Sequence, residues 1–490
     1  MALEKKSLTD IFGKKRVFDD EKTLEEYAQD QSFAPRRRPD FVVFAENVEE
    51  VQKVVRLANE TLTPIIPYSS GLNFHGAALP DHGGIILNLS RMNKIIQVDE
   101  ENWSVLVEAG VTFEQLQKEM MKKGFRIMIP FGVPPKRSVL SSLLERDPVM
   151  AAPSFEYGNF LIMDTELVLP NGELFKTGIW CAGGKPGGPM GPVRNVIFRL
   201  WTGAQGTLGI MTKMGTHINP FIKERKMYFI TFDKLSDAIE PLKRIQRREI
   251  GMECFLLNRF NLAALLSEEW EVPESFPAKP KPSESFEHFK SILPPWVLAV
   301  CINGAPRHPE EKIAYEEEAL REVAHSLNVE LRESVPQVSG LNRLLLNEIL
   351  YPWGILKKFN YRGSVHGLTF KSSLQYVADL EKTLKKVCDA GGYSASSIGA
   401  YLLPLERGRA VHCEFDLHCD LEDAKETQKV KDLWLKASET LINQGAYFDR
   451  PYGPWADMVY QRAGHYTTKL REIKQELDPK GILNPGKLCF

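Results

Sequence analysis

Residues 64–80 read PIIPYSSGLNFHGAALP, an apolar strand-like run followed by a loop of small residues that includes Ser69, Ser70 and Gly71. Small residues let several backbone N–H groups converge on an anion such as a phosphate, because no bulky side chain keeps the anion away. The stretch matches neither the P-loop nor the G-x-G-x-x-G motif, which argues against ATP- and NAD-binding folds. An ordinary Ser/Gly turn between two strands is the alternative, so the loop has to be interpreted together with the rest of the chain.

The composition is typical of a globular protein with about two to four domains. The 490 residues are 43% hydrophobic and 26% charged, and the net charge of −2 argues against a general nucleic-acid or membrane-surface binder. No apolar run reaches the roughly 18 residues that span a bilayer, and the N-terminus lacks the apolar region of a signal peptide. The seven cysteines are scattered and form no C-x-x-C motif. We therefore expect a cytoplasmic protein without a c-type haem.

The chain changes character after about Pro220. Before it, short strand-like and helix-like segments alternate from Pro39 onward, and Asn47 followed by Glu50 predicts a capped helix start. After it, longer helix-like segments lie between strands. This mixed order favours an α+β fold over a regular doubly wound parallel sheet.

Three segments together resemble the vanillyl-alcohol oxidase superfamily of FAD proteins, which share the PCMH-type flavin-binding domain. The first is PYSSGLNFHGAA at residues 67–78, whose S-x-G-x-N-x-x-G pattern is closest to the branch of vanillyl-alcohol oxidase and 4-cresol dehydrogenase. The second is WTGAQGTLGIM at residues 201–211, and the third is LDPKGILNPGK at residues 477–487. The resemblance rests on all three segments occurring in this order and near these separations.

The resemblance implies an α+β protein in three parts. Residues 1–224 would form a PCMH-type FAD-binding domain of two α/β subdomains, and residues 225–450 an α+β cap domain with an antiparallel sheet. Residues 451–490 would return to the FAD domain. The cap would cover the isoalloxazine ring and shape the substrate pocket, and the loop Ser69–Asn73 would hold the pyrophosphate.

The resemblance also implies which residues bind the cofactor. Gly206 and Gly209 would let the backbone approach FAD closely, although a tight turn before a strand explains them as well. The implied FAD-binding residues are Pro67, Ser69, Ser70, Gly71, Leu72, Asn73, Gly76, Ser138, Ser142, Tyr157, Gly158, Gly206, Gly209, Ile210, Asn484 and Lys487.

Several members of the superfamily attach FAD covalently through a histidine or a tyrosine. The linking position of one branch corresponds to Leu72 in this chain, and that of the other branch corresponds to Arg409 or Ala410. None of these side chains can form the bond. His75 lies three residues beyond the first position, where it could face the flavin or make a hydrogen bond within the loop. We therefore expect non-covalent FAD.

The catalytic aspartate of the vanillyl-alcohol oxidase branch, which follows a Tyr-Gly pair, is replaced by Asn159. An amide can hydrogen-bond the flavin or the substrate, but it is not a general base near neutral pH. Arg450 matches the arginine that stabilises a substrate phenolate, and its planar fork suits a phenolate or a carboxylate oxygen. Where the family has a glycine run, this chain has Pro135-Lys136-Arg137, whose cations would contact the FAD phosphates or ribose, or form a surface bend.

Residues 409–420, RAVHCEFDLHCD, predict a strand with His412 and Glu414 on the polar face. That face would meet either solvent or the flavin, and in the second case His412 or Glu414 could replace the missing aspartate as proton acceptor. A zinc site from His412, Cys413, His418 and Cys419 has poor geometry, because neighbouring residues point to opposite faces of a strand. We expect no metal.

The sequence thus predicts an FAD-dependent oxidoreductase that passes a hydride from a substrate carbon to the flavin. The candidate catalytic residues are Arg450, His412, Glu414 and Asn159. The substrate is an aromatic or benzylic alcohol or a para-substituted phenol, with a 2-hydroxy acid or a sugar as the alternative. A different class of function is the alternative: the chain would be a flavin subunit that relays electrons in a larger complex, or a member of the superfamily that has lost catalytic activity. The expected partners are O2 or an electron-acceptor protein and a second copy of the chain, with no nucleic acid.

Overall fold

A computed structural model describes residues 3–150, 161–186 and 196–490. The strands are β1 (Val17–Phe18), β2 (Phe41–Phe44), β3 (Ile65–Tyr68), β4 (Ile85–Asn88), β5 (Ile95–Asp99), β6 (Ser104–Glu108), β7 (Phe125–Arg126), β8 (Ile162–Val168), β9 (Leu174–Lys176), β10 (Ile210–His217), β11 (Asn219–Pro220), β12 (Arg225–Phe232), β13 (Glu253–Asn258), β14 (Trp296–Asn303), β15 (Ser364–Ser372), β16 (Gly399–Leu405) and β17 (Ala410–Cys419). The α-helices are α1 (Lys5–Phe12), α2 (Glu21–Glu26), α3 (Val48–Thr61), α4 (Phe113–Lys122), α5 (Val139–Leu144), α6 (Leu235–Arg247), α7 (Arg259–Leu266), α8 (Glu284–Ile292), α9 (Pro309–Ser326), α10 (Leu341–Glu348), α11 (Leu374–Ala390), α12 (Ala424–Asn443), α13 (Pro454–Tyr460) and α14 (Gly464–Leu477).

Two sheets form the N-terminal part of the molecule. The first has the order β1-β2-β4-β3, in which β2, β4 and β3 are parallel and β1 is antiparallel to β2. The second has the order β5-β6-β10-β8-β9 and is antiparallel. Helix α3 begins at the predicted cap, where Asn47 Oδ1 accepts a hydrogen bond of 3.0 Å from the Glu50 N–H. Its buried face joins both sheets in one apolar core.

A six-stranded antiparallel sheet with the order β12-β14-β13-β16-β17-β15 dominates the part of the chain after residue 224. One face of β17 presents Val411, Cys413 and Phe415 to an apolar core shared with helices α6, α11 and α12. The opposite face carries His412 and Glu414, so the predicted alternation is confirmed. These sheets and their helices confirm the α+β expectation.

The C-terminal segment packs against the first sheet. The Ile65 N–H donates to the Ile482 carbonyl at 2.7 Å, and the Asn484 N–H donates to the Ile65 carbonyl at 2.9 Å. Lys474 of α14 donates to the Thr207 carbonyl at 2.7 Å. The tail therefore pairs with the start of β3 and contacts the turn before β10. The exact domain boundaries at residues 224 and 450 stay predictions.

Candidate active site

A cleft of about 880 Å³ lies along the loop that leaves β3. Residues 67–73 form one wall, and the backbone N–H groups of residues 70–73 donate to no acceptor in the described part of the chain. Gly71 has a φ of +66°, and a Cβ there would lie 1.9 Å from the Tyr68 hydroxyl oxygen, so only glycine fits. Four consecutive free donors in a small-residue loop fit the phosphates of a dinucleotide.

Gly206 and Gly209 of the second motif line the same cleft. A Cβ on Gly206 would lie 2.9 Å from Pro67 Cγ, and a Cβ on Gly209 would lie 2.8 Å from Leu167 Cδ1. The glycines therefore let this turn pack tightly against the end of β3 and against β8. Their contact with a cofactor stays a prediction.

Of the other positions assigned to the cofactor, Tyr157 and Gly158 lie outside the described residues, as does the catalytic candidate Asn159, and the rest do not line this cleft. The Ser138 N–H donates to Ser70 Oγ at 3.2 Å, and Ser142 Oγ donates to Asp147 at 2.7 Å. The Gly76 N–H donates to Asp30 at 2.8 Å. Lys487 pairs with Asp81 at 2.9 Å, and Ile210 is buried at the start of β10. In this structure these residues support the loops that form the cleft.

Asn484 connects the loop after β3 with the turn before β10. Its buried side-chain amide donates to the Ala77 carbonyl at 3.0 Å and to the Gln205 carbonyl at 2.7 Å. Two segments that are distant in sequence are thereby held on opposite sides of one side chain.

A second cleft of about 730 Å³ lies between the N-terminal part and the six-stranded sheet. It shares Leu72, Asn73 and Arg137 with the first cleft, so the two clefts adjoin at these residues. Apolar side chains, including Phe131 and Phe359, form part of its wall. A flat, partly aromatic ligand fits such a wall.

Two buried arginines converge on one carboxylate at this cleft. Arg137 pairs with Asp147 at 2.7 Å, and Arg450 pairs with the other oxygen of the same carboxylate. Burial favours the neutral acid, but both guanidiniums and the Ser142 hydroxyl overcome it and hold the pKa of Asp147 below its ordinary value. The Glu145 carboxyl also interacts electrostatically with both arginines, so Asp147 is not their only acidic neighbour.

Titratable side chains of β17 line the same cleft. Lys358 donates to Glu414 at 2.9 Å and to Asp416 at 2.8 Å, and a His412 ring nitrogen lies 4.0 Å from Glu414. Burial would raise the pKa of Glu414, but the Lys358 ammonium holds it well below its ordinary value. Burial raises the pKa of Asp416, and burial lowers the pKa of His412. The imidazole of His412 is therefore neutral at pH 7.

Five buried polar atoms of residues lining this cleft have no hydrogen-bond partner within the described ranges. They are Arg137 Nε, Thr369 Oγ1, Tyr401 Oη, His412 Nδ1 and Asp416 Oδ1. Buried polar groups are rarely left unsatisfied, so this set indicates a site for a polar ligand.

Register explains why three of the residues on this wall meet. Tyr401 of β16 and Thr369 of β15 both lie directly opposite Glu414 of β17, so the three share one row across the sheet. Residues directly opposite each other point to the same face. The alternation along β17 predicts which of its side chains share this face, but no local pattern predicts that Tyr401 and Thr369 lie beside Glu414.

His75, which follows the small-residue loop, also lines the second cleft. Its ring stacks on Tyr452 with centroids 4.8 Å apart, and its backbone N–H donates to the Asn73 side-chain oxygen at 3.1 Å. Burial lowers the pKa of His75 to about 3, so the ring is neutral. Whether it faces the flavin stays a prediction.

Asp147, Lys358 and Tyr401 were missed at the level of sequence. Lys358 follows another lysine in a short 3₁₀ helix, and nothing local separates it from a surface lysine. Asp147 lies in a turn after α5, where aspartate is common. The sequence allowed Arg137 either to contact the cofactor or to lie in a surface bend. The structure buries Arg137, which lines both clefts.

Two further features concern metals and membranes. Among the described residues, no group of three or more His, Cys, Asp or Glu side chains is arranged to hold a metal ion. Over the same residues, every helix is too short or too polar to cross a bilayer.

Two protein families match parts of the chain. Residues 39–178 match the FAD binding domain, and residues 456–488 match the C-terminal domain of FAD linked oxidases. The 4-cresol dehydrogenase [hydroxylating] flavoprotein subunit of Pseudomonas putida is 25% identical, over 92% of this chain and 87% of its own. The D-lactate dehydrogenase of Anaerostipes hadrus is 24% identical, over 97% of this chain and 95% of its own.

Solved structures share the fold. The crystal structure of p-cresol methylhydroxylase with substrate bound has a TM-score of 0.81 at 21% identity and covers 99% of this chain and 96% of its own. The 4-ethylphenol oxidase from Gulosibacter chungangensis has a TM-score of 0.81 at 21% identity and covers 98% of this chain and 95% of its own. Together with the family matches, these similarities confirm the expected superfamily and the PCMH-type fold with a cap domain.

Proposed function

We propose that this chain, an FAD-linked oxidoreductase of the PCMH-type superfamily, holds FAD along the first cleft and oxidises an aromatic or benzylic alcohol or a para-substituted phenol in the second. One observation carries the proposal: the second cleft is lined by the cationic Arg450, by the neutral imidazole of His412 and by apolar, partly aromatic side chains. The proposed division of labour is residues 1–224 and 451–490 for FAD and residues 225–450 for the substrate.

Bound FAD supplies the hydride acceptor. The chain supplies orientation and charge: Arg450 holds the substrate's anionic or polar oxygen, and the apolar wall excludes water from the reacting carbon. His412 Nδ1, which has no partner in the described part of the chain, takes the proton of the substrate hydroxyl. Glu414, which Lys358 keeps ionised, then stabilises the imidazolium. For Asn159 we propose a hydrogen bond to flavin or substrate.

Anaerobic bleaching of the bound flavin tests this function. The FAD-loaded protein is mixed with 4-hydroxybenzyl alcohol, benzyl alcohol, 4-methylphenol, D-lactate or a sugar, and the loss of the flavin absorbance is followed. Reduction by a member of the first three supports the proposal. Reduction by D-lactate or a sugar alone would replace the substrate class, and bleaching by none would favour an electron-relaying subunit.

The 2-hydroxy acids are the second candidate class. The pair Arg137 and Arg450 favours them, because two guanidiniums match the two oxygens of a carboxylate. The D-lactate dehydrogenase among the relatives supports this class as well.

The pH dependence of flavin reduction follows from His412. Burial lowers the pKa of this imidazole below its ordinary value of 6.5, so the neutral base is present above that lowered pKa and is lost as the pH falls through it. We expect the reduction rate to stay constant from pH 8 to 6.5 and to fall only at lower pH. Glu414 raises the pKa of His412, so Glu414→Gln moves the fall to still lower pH. A fall centred above pH 7, or one that Glu414→Gln leaves in place, would contradict this assignment.

Asn484 gives a test of the cofactor cleft. Asn484→Leu removes two donors and leaves the Ala77 and Gln205 carbonyls unpaired, at about 1–3 kcal/mol each. We expect the dissociation constant of FAD, measured by fluorescence of the released cofactor, to rise at least about 10-fold. Asn443→Leu near the exposed end of α12 is the control and leaves FAD affinity unchanged. Equal affinities of the Asn484 variant and the wild type would remove Asn484 from the FAD site.

Non-covalent attachment of FAD is also proposed. Arg409 is exposed and pairs with Glu406, and Ala410 begins β17 beside it, so neither of the two positions suggested by the superfamily offers a linking group. Acid precipitation should leave all FAD in the supernatant. Flavin that stays with the pellet would show a covalent bond.

We also propose a compartment, an oxidant and an oligomeric state for the protein. None of the seven cysteines forms a disulfide, which supports a reducing cytoplasm. O2 or an acceptor protein would reoxidise the flavin. Assembly with a second copy of the chain stays a prediction.

A further inference from the structure

Asp416 of β17 lies between two glycines of the six-stranded sheet. Gly367 of β15 and Gly399 of β16 are both directly opposite it, so neither neighbouring strand places a side chain beside its carboxyl group. Glycine within a strand often marks a place where another backbone or a ligand approaches closely. The two sides of Asp416 differ in what fills the space.

The side towards Gly399 is filled by the protein itself. A Cβ on Gly399 would lie 2.5 Å from Asn261 Oδ1 and 2.9 Å from Asp416 Oδ2. The same Asp416 oxygen accepts a hydrogen bond of 2.8 Å from Lys358. Close packing therefore explains Gly399, and this side of the carboxyl group has its partner.

The side towards Gly367 has room for a group as large as a methyl or a hydroxyl. A Cβ on Gly367 would lie 3.4 Å from Asp416 Oδ1 and 3.6 Å from Thr369 Cγ2. It would lie 3.8 Å from Glu414 Cγ, and all three distances are ordinary van der Waals contacts. These four residues line the second cleft. They bound a small hollow in its wall, which we call the Gly367 recess.

Two polar atoms beside the Gly367 recess lack partners. Asp416 Oδ1 and Thr369 Oγ1 make no hydrogen bond within the described ranges, although the two residues are only 1% and 7% exposed. Buried polar atoms are rarely left unsatisfied, and each one costs free energy while it is. A ligand group that pairs with both atoms would remove both costs.

A hydroxyl group meets this requirement. It can donate to the Asp416 carboxylate while it accepts from the Thr369 hydroxyl. Burial raises the pKa of Asp416 above its ordinary value, and the protonated acid can donate to the same hydroxyl oxygen. An ammonium group is less suitable, because Lys358 already places a cation on this carboxyl group.

The Gly367 recess is remote from the proposed base. Asp416 follows His412 by four residues on the same face of β17, which corresponds to roughly 13 Å along the strand. A ligand group in the recess is therefore distinct from the hydroxyl that His412 deprotonates.

We propose that the Gly367 recess binds a second hydroxyl group of the substrate, at the end of a side chain remote from the oxidised carbon. This inference rests on the proposed function, because it places the substrate in the second cleft. It narrows the substrate class to aromatic compounds with a hydroxylated side chain. Short compounds such as benzyl alcohol would leave the recess empty.

A matched pair of ligands tests the recess in the wild-type protein. 4-(2-Hydroxyethoxy)phenol and 4-propoxyphenol have nearly the same shape, and one ends in a hydroxyl group where the other ends in a methyl group. Neither has a benzylic carbon, so binding to the FAD-loaded protein is measured by calorimetry without oxidation of the ligand. We expect the hydroxyl compound to bind about 10-fold more tightly, although the methyl compound is more apolar.

Thr369→Val tests the hydrogen bond. Valine keeps the shape of threonine, and the lost hydroxyl has no partner in the described part of the chain, so the fold should tolerate the change. We expect the affinity for the hydroxyl compound to fall about 5- to 10-fold and that for 4-propoxyphenol to change less than about 3-fold. Thr231→Val in β12, at the other edge of the same sheet, is the matched control and should leave both affinities unchanged.

Gly367→Ala tests the space. The added methyl group makes only ordinary contacts and fills the recess. We expect both ligands to bind about 10-fold more weakly, whereas 4-methoxyphenol, which is too short to reach the recess, should bind as it does to the wild type. Gly464→Ala, whose Cβ would have no neighbour within 4 Å among the described residues, is the control.

Three results would overturn the inference. Equal or weaker binding of the hydroxyl compound by the wild type would do so without any variant. A preference that Thr369→Val leaves unchanged would show that the hydroxyl group binds elsewhere. Normal binding of both long ligands by Gly367→Ala would show the same.

Failure of the recess is distinguishable from failure of the proposed function. Flavin bleaching by 4-hydroxybenzyl alcohol without a preference between the two ligands would keep the function and reject the recess. A preference that depends on Thr369, without bleaching by any alcohol, phenol or hydroxy acid, would keep the recess and reject the function.

Discussion

The substitution His412→Gln should lower the rate of flavin reduction by about 100- to 10,000-fold, the usual contribution of a general base. Glutamine keeps a polar group in the cleft but cannot take a proton near neutral pH. The neutral imidazole has an unpartnered Nδ1 and lies 4.0 Å from Glu414, so it can both accept the proton and have the resulting charge stabilised. Anaerobic stopped-flow mixing measures the rate directly.

His418 provides the matched control. It lies on the same face of β17 and is equally buried, but it packs against Phe260 and Tyr361 and does not line the cleft. Both of its ring nitrogens lack partners in the described ranges, so His418→Leu should be tolerated and change the rate less than about 3-fold. If both histidine variants lose the same activity, the effect is one of folding. If neither loses activity, His412 is not the base.

The second large effect concerns stability. Asp147→Asn removes the anion between Arg137 and Arg450 and should lower the free energy of unfolding by about 3–5 kcal/mol, the usual cost of breaking a buried ion pair. The midpoint of urea-induced unfolding measures it. Asp19→Asn, which breaks an exposed pair with Lys5, is the control and should have a much smaller effect.

The same carboxylate predicts a dependence of stability on pH. The pKa of Asp147 is lowered in the folded protein, so its contribution to stability is complete above the unfolded value of about 3.9. That contribution is lost as the pH falls through the lower folded pKa. We therefore expect the stability difference between wild type and Asp147→Asn to be constant from pH 5 to 8 and to shrink below pH 4. A difference that is small at pH 7 would show that the arginines find other partners.

Local sequence patterns predicted those parts of the fold that depend on neighbouring residues. Asn47 and Glu50 predicted the start of α3, because a helix cap acts over three residues. The alternation in residues 409–420 predicted which side chains share a face of β17, because successive residues in a strand point in opposite directions. The superfamily motifs predicted the FAD domain, and the family matches confirm it.

The candidate site depends on pairs that no local pattern reveals. Arg450 and Asp147 are 303 residues apart, and Lys358 and Asp416 are 58 residues apart. Whether the polar face of β17 meets solvent or a cleft depends on the segments packed against it, which include residues 130–134 of the N-terminal part. The pattern therefore left both readings open.

The sequence alone indicated the tight loop after β3, because Gly71 allows a backbone conformation, with a φ of +66°, that other residues resist. Only the tertiary structure showed that residues 70–73 keep four backbone donors free within the described part of the chain, and that a second cleft, lined by His412, adjoins the first at Arg137. The physical reason is the distance along the chain over which each interaction acts. Backbone preferences are set within a few residues, whereas burial and the pairing of charges are set by whatever the fold brings within a few ångströms.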